Sequence, residues 1–205
     1  MTGQERRAQL LDVGRSVFAA VGYEAASIEE IAKRAKITKP VVYEHFGGKE
    51  GLYAVVLDRE VRHLVESITA ALEGDHPRIL LEQAALGLLT YIEEEPDGFK
   101  VLIRDSPVAG GHGSLASVIG DIADQVEYIL ANEFKDRGYD PMLSPIYSRA
   151  LVGMVVLVGE WWQGVGKPDR EVVAAHLVNL AWNGLKDLKP NPELTADPAL
   201  GTARS

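Results

Sequence analysis

The chain has 205 residues, enough for one domain or two small ones, and 46% hydrophobic with 25% charged residues excludes a wholly disordered or fibrous protein. It contains no cysteine, which excludes disulfide staples, thiolate zinc sites, iron–sulfur clusters and cysteine nucleophiles together. The net charge of −9 argues, taken as a whole, against a nucleic-acid partner.

Helical periodicity runs through almost the whole chain. Leu10, Leu11, Gly14, Val17, Phe18 and Val21 fall on one face of a first helix, with Gly22 placed to stop it. Ser27-Ile28-Glu29-Glu30 reads as a reciprocal capping box opening a short helix at about 28–35. Thr38 is the next N-cap, and Pro40 sits where its missing N–H is harmless, so a second short helix is predicted at about 39–45. Beyond Gly47-Gly48 the helices lengthen: about 49–73, then Pro77 to Ile92, stopped by Glu93-Glu94-Glu95-Pro96. A short helix near 98–105 precedes the loop 106–113, and helices follow near 114–136, 143–165 and 168–188. The tail 189–205 carries three prolines and little apolar content, and is expected to be disordered. The reading is all-α, about nine helices. The domain expectation is an N-terminal unit of three helices at 1–48 and a second helical domain at 49–188.

Two short helices joined by a three- or four-residue turn, packed on a first helix, form a helix-turn-helix unit. The N-terminus of the second helix suits the major groove, because backbone N–H groups there meet phosphate favourably. Thr38, Lys39 and Tyr43 offer donors to phosphate, and Val41 and Val42 offer methyl groups to thymine. Lys49 opens the next long helix, where it can clamp the DNA backbone. Charge supports this division. Residues 1–52 hold eight basic and seven acidic side chains, a balance of +1, and the remainder carries −10.

Gly22-Tyr23, Ser27 to Ala35, Ile37-Thr38-Lys39-Pro40, Val42-Tyr43-Glu44-His45-Phe46 and Lys49-Glu50-Gly51-Leu52 together closely resemble the DNA-binding domain of TetR-type transcriptional regulators. The match covers about residues 5–65. It implies that the second short helix reads DNA, with Thr38, Lys39, Tyr43 and His45 facing the duplex and Lys49 on a phosphate. Ser27, Pro40, Val41 and Val42 complete the expected DNA-binding set. Two departures stand out: Lys36, where the family usually has glycine, and Pro40, where small residues are usual.

The resemblance also implies a C-terminal domain that dimerises through its last two helices and holds a small-molecule pocket. Val155, Val158, Trp161 and Trp162, with Val173, Leu177, Leu180 and Trp182 on the next helix, are the expected interface. Adjacent residues on a helix point about 100° apart, so one of the two tryptophans should face a partner and the other the core. Tyr91, Phe99, Leu102, Ile103, Arg104, Tyr128 and Met154 are the pocket candidates, for an apolar or amphipathic ligand of acyl type.

A catalytic role finds no support. His63, His76, His112 and His176 lack metal spacing, Gly110-Gly111-His112-Gly113 follows no strand, and no serine lies in a nucleophile elbow. No cofactor is expected. Met1 to Gln9 has no apolar core of a signal peptide, and Ala150–Val158 is about half a bilayer span, so no membrane partner is expected and the protein should be cytoplasmic. The combined expectation is a homodimeric, ligand-responsive regulator, most simply a repressor, bound to a pseudo-palindromic double-stranded DNA operator and released by a small-molecule effector. The competing reading is a helical small-molecule-binding module without sequence-specific DNA regulation.

Overall fold

The computed structural model describes residues 2–74, 76–103 and 115–193. Among these, all regular structure is helical: α1 Gly3–Ala25, α2 Ile28–Arg34, α3 Lys39–Phe46, α4 Lys49–Ala70, α5 Pro77–Glu94, α6 Pro96–Ile103, α7 Leu115–Asp136, α8 Ser144–Val165 and α9 Arg170–Lys186. A 3-10 turn, Pro141–Leu143, leads into α8. The expected loop 106–113 and the tail beyond residue 193 lie outside the described residues.

Helix ends follow local chemistry, with one difference from the sequence reading. Gly22 ends the regular helical backbone of the first helix, at φ 80° and ψ 170°, as its placement predicts, and a further helical turn follows to Ala25. At α2 only half of the capping box forms. The Ser27 hydroxyl accepts from the Glu30 N–H at 3.2 Å, while the Glu30 carboxylate turns to Arg34, 2.6 Å away and four residues on. The reciprocal box forms instead at Thr2 and Glu5, opening α1.

The N-terminal unit packs α1, α2 and α3 around Leu10, Val17, Phe18, Ile28, Ile31, Val42 and Leu52, all buried. Phe18, Tyr23 and Tyr53 form an aromatic cluster, with Phe18 and Tyr53 edge to face at 4.9 Å. Gly14 lies 3.2 Å from the Leu52 side chain, measured from where a Cβ would stand, so α1 and α4 approach closely there.

α4 runs from this unit into the C-terminal half and packs on α5. The two approach closely at Gly87, where an added Cβ would lie 2.9 Å from both the Ile68 Cα and the Ser67 carbonyl oxygen. α5 packs on α9 through Val173, Ala174, Leu177 and Val178, all buried. α7 pairs with α8 to close the other side. The segment Pro141–Val165 is long and apolar enough to cross a bilayer by length and composition, which corrects the half-span reading of 150–158. Only 17% of its most apolar window is buried. One face lines a partly open cavity and another is left exposed.

Candidate DNA-reading surface, cavity and interface

Thr38, Lys39 and Pro40 stand exposed at the start of α3, and Tyr43 projects one turn later with 54% of its surface free. Thr38 is the N-cap residue by backbone conformation, φ −93° and ψ 153°, and its hydroxyl makes no capping bond. Ser27, Val41 and His45 are half-buried. Val42 departs from the expected DNA-facing set. Its side chain is completely buried in the core of the unit, so it has no methyl to offer a thymine.

Lys49 is placed differently from a free phosphate clamp. Its ammonium donates to the carbonyl oxygens of Tyr23 (2.9 Å), Glu24 (3.2 Å) and Ala26 (3.1 Å), and lies 4.4 Å from the Tyr23 ring centre. Three donors on three carbonyls satisfy the group where α1 ends. Arg7 is used in a similar way, donating to the His45 carbonyl at 2.8 Å with its guanidinium over the Phe46 ring. Lys39 pairs with Glu29 across the turn, and this bond is the largest cause holding the Glu29 carboxyl below its ordinary value. The N-terminal unit therefore spends most of its cations on its own fold.

Between this unit and the C-terminal half lies a charged cluster that sequence reasoning missed. Glu60 on α4 is fully buried. Arg15 from α1 reaches it at 3.5 Å and Arg59 at 3.2 Å, and the Tyr91 hydroxyl from α5 donates to its Oε2 at 3.3 Å. Arg15 also bonds Glu95 at 2.5 Å. Burial works against the Arg15 charge, but Glu60 and Glu95 more than offset it and raise its pKa. Burial, then the Glu60 carboxylate, pushes the Tyr91 phenol well above its ordinary range. Gly98 on α6 closes the cluster, since a Cβ there would lie 2.3 Å from Glu60 Oε2 and 2.7 Å from Tyr91 Oη. A polar pattern inside amphipathic helices gave little signal: Glu60 falls among ordinary surface charges in the sequence, and only its place on the buried side of α4 distinguishes it.

The C-terminal half holds a partly open cavity of about 230 Å³. Leu64, Val65 and Ile68 of α4, Leu81 and Leu88 of α5, Phe99 of α6, Ile122 and Val126 of α7 and Leu151, Val152, Val155 and Val156 of α8 contribute to its walls. The one hydroxyl in the lining, on Thr69, donates to the Val65 carbonyl at 2.8 Å. Of the expected pocket residues Phe99 is present. Tyr91 belongs to the charged cluster, Leu102 is buried in the core, Ile103 and Met154 pack against that core, and Tyr128 is 67% exposed. Arg104 lies outside the described residues.

The expected interface residues also divide. Val155 lines the cavity and Val158 packs on the core. Val173 and Leu177 are buried against α5 within the protomer. Trp162 is buried, its indole N–H donating to the Pro168 carbonyl at 2.7 Å, while Trp161 is exposed. Trp182 is half-buried, its ring 6.1 Å from that of His76. Ile146, Leu157, Trp161 and Val165 on α8, with Val172 and Leu180 on α9, remain as exposed large apolar groups. Ile146, Leu157, Trp161 and Val165 follow one helical stripe, and Gly153 on the same stripe has open space above it.

Residues 10–56 match the family described as bacterial regulatory proteins, tetR family. Over 184 residues, 88% of this chain and 83% of the relative, the sequence is 30% identical to the HTH-type transcriptional activator FasR of Mycolicibacterium smegmatis. The chain belongs to the TetR family of transcriptional regulators. An HTH-type transcriptional repressor of Mycobacterium tuberculosis is 37% identical over 84 residues, which is 40% of this chain and 43% of that one. The crystal structure of a TetR-like transcriptional regulator from Rhodococcus sp. RHA1 superposes with a TM-score of 0.76 at 28% identity, covering 89% of this chain and 97% of that one. This TetR-family chain is thus a transcriptional regulator, not an enzyme, with an N-terminal helix-turn-helix and a helical C-terminal domain.

Proposed function

We propose that the protein is a cytoplasmic, homodimeric, ligand-responsive regulator that loses operator affinity when an acyl-type molecule fills the C-terminal cavity. The observation that carries this reading is the chemistry of the cavity wall. Aliphatic and phenyl groups converge from five helices, and the Thr69 hydroxyl is already bonded to its own helix. Such a site favours a hydrocarbon chain, because each buried methylene contributes about 0.8 kcal/mol and no polar partner is offered.

The route from cavity to DNA is short. Phe99 lines the cavity, and the preceding residue, Gly98, abuts the Glu60–Tyr91 pair. Arg15 carries that pair into α1. A ligand that displaces α6 therefore acts on the joint that seats the DNA-reading unit, and biases its geometry by its differential affinity for two states. The DNA-facing set is Thr38, Lys39, Pro40 and Tyr43, with Ser27, Val41 and His45 at its edges.

The exposed stripe of α8 and α9 is the surface on which a second copy would pack, placing two reading helices about 34 Å apart on a pseudo-palindrome. Release ends repression where the operator overlaps a promoter, and ends activation where the bound protein recruits polymerase. Repression is the proposed arrangement, and the name of the Mycolicibacterium relative makes activation the competing one. A thermal-shift screen of saturated fatty acids and their thioesters tests the ligand class, with a rise in Tm expected for long chains and none for the free head groups. No shift with any chain length would refute it.

A further inference from the structure

Lys36 is the single non-glycine residue among the described residues with positive φ, at 56°. It follows Ala35, the C-cap of α2. The Ile37 N–H donates to the Ala32 carbonyl at 2.9 Å and the Lys36 N–H to the Lys33 carbonyl at 3.1 Å. This is the paired-bond ending of a helix in which the residue at the Lys36 position must be left-handed, and glycine suits it because it has no Cβ to clash. A lysine there works against the fold. Strain of this kind persists where the side chain has another task.

The pairing of the other cations in the N-terminal unit bears on that task. Lys39 is paired with Glu29, Arg34 with Glu30, and Arg15 with Glu60 and Glu95. Arg7 and Lys49 are bonded to backbone carbonyls, and Arg6 donates to Gln9 at 2.7 Å. Among the described residues, the Lys33 and Lys36 side chains alone of this unit's cations make no hydrogen bond or salt bridge, and the Lys33 charge acts on the Glu30 carboxylate. Lys36 is exposed and stands two residues before Thr38, in the turn that leads into the reading helix.

We infer that Lys36 is a phosphate-contacting residue of the DNA-reading unit, its free ammonium anchoring the DNA backbone beside the N-terminus of α3. This rests on the reading that α2, the turn and α3 dock on duplex DNA. The site is a point cation for a phosphate oxygen, so it contributes affinity and register without sequence preference.

Three substitutions separate charge from strain. Lys36→Gly removes both, Lys36→Gln removes only the charge, and Lys36→Arg keeps it. Binding to a mixed-sequence duplex is followed by fluorescence anisotropy across a salt series, and each variant is melted. The expected result for Lys36→Gly is a Tm raised by about 2–4 °C together with a slope of log K against log salt that is shallower by about 0.9 for each protomer bound. Lys36→Gln should show the shallower slope without the gain in Tm, and Lys36→Arg should keep the wild-type slope. A wild-type slope in both Lys36→Gly and Lys36→Gln would overturn the assignment while leaving the DNA-reading surface intact. A wild-type protein that binds no duplex at low salt would overturn that surface, and this inference with it.

Discussion

The Tyr91 hydroxyl and the Glu60 carboxylate meet at 3.3 Å inside the protein, joining α5 to α4 where Arg15 of α1 reaches the same carboxylate. Glu60 is fully buried, so its charge depends on Arg15, Arg59 and Tyr91 for compensation. A buried carboxylate so placed contributes little net stability over an apolar group, but breaking it is costly, because the remaining charges stay desolvated. Glu60→Ala is therefore expected to lower unfolding free energy by about 3–5 kcal/mol in urea. Tyr91→Phe, which removes one long hydrogen bond, should cost about 1 kcal/mol. A loss below that of Tyr91→Phe for Glu60→Ala would show that water compensates the cluster.

Lys49 provides a test of structure against DNA contact at one residue. Its ammonium satisfies three carbonyls where α1 ends, at 2.9, 3.2 and 3.1 Å. Lys49→Met should cost about 2 kcal/mol of stability, since charged donors are lost and carbonyls are left without them. At temperatures well below its Tm the variant should retain the salt slope of the wild type. A full Tm with a shallower slope would instead place the ammonium on DNA.

Close helix contacts predict contrasting glycine substitutions. Gly87→Ala directs a Cβ at the Ile68 backbone, which cannot move aside without shifting α4, and should destabilise by about 1–3 kcal/mol. Gly153→Ala meets nothing within 4 Å in the protomer and should leave monomer packing unchanged. If α8 packs on a second copy at this stripe, the same alanine should weaken the dimer on dilution, as read by analytical ultracentrifugation. Trp161→Glu should do so far more strongly.

Much of this architecture is written in local pattern. Helical period, the Ser27 and Thr38 caps, the Gly47-Gly48 break and the charge division all depend on residues close in sequence. The cavity is different, because Leu64, Leu81, Phe99, Val126 and Val155 come together only when five helices pack. Val155 and Leu157 illustrate the difficulty: two residues apart on one apolar helix, they face a cavity and solvent. Tyr91 and Tyr128 are equally plausible pocket aromatics by composition, yet one is buried on a carboxylate and the other exposed. Lys49 kept its place at the head of α4, and the carbonyls that occupy it lie more than twenty residues earlier.

Acid should weaken the N-terminal unit by a predictable route. Lys39 holds the Glu29 carboxyl, and Arg34 the Glu30 carboxyl, below the ordinary value of 4.5. Because the folded values are depressed, this contribution is present above pH 4.5 and is lost as pH falls through the lowered values. The double variant Glu29→Gln, Glu30→Gln should show a flatter dependence of Tm on pH in that acid range. Parallel curves for variant and wild type would mean that neither ion pair contributes.

Cavity occupancy and DNA affinity are the two quantities the central claim joins. The most direct measurement is anisotropy of a duplex selected by the protein from random sequence, titrated with a long-chain acyl ligand. It is run on the wild type and on Ala84→Phe, which fills the cavity from α5. The expected result is release of the duplex from the wild type and continued binding by the filled variant. Equal affinity with and without ligand in the wild type, despite a ligand-induced rise in Tm, would contradict the coupling.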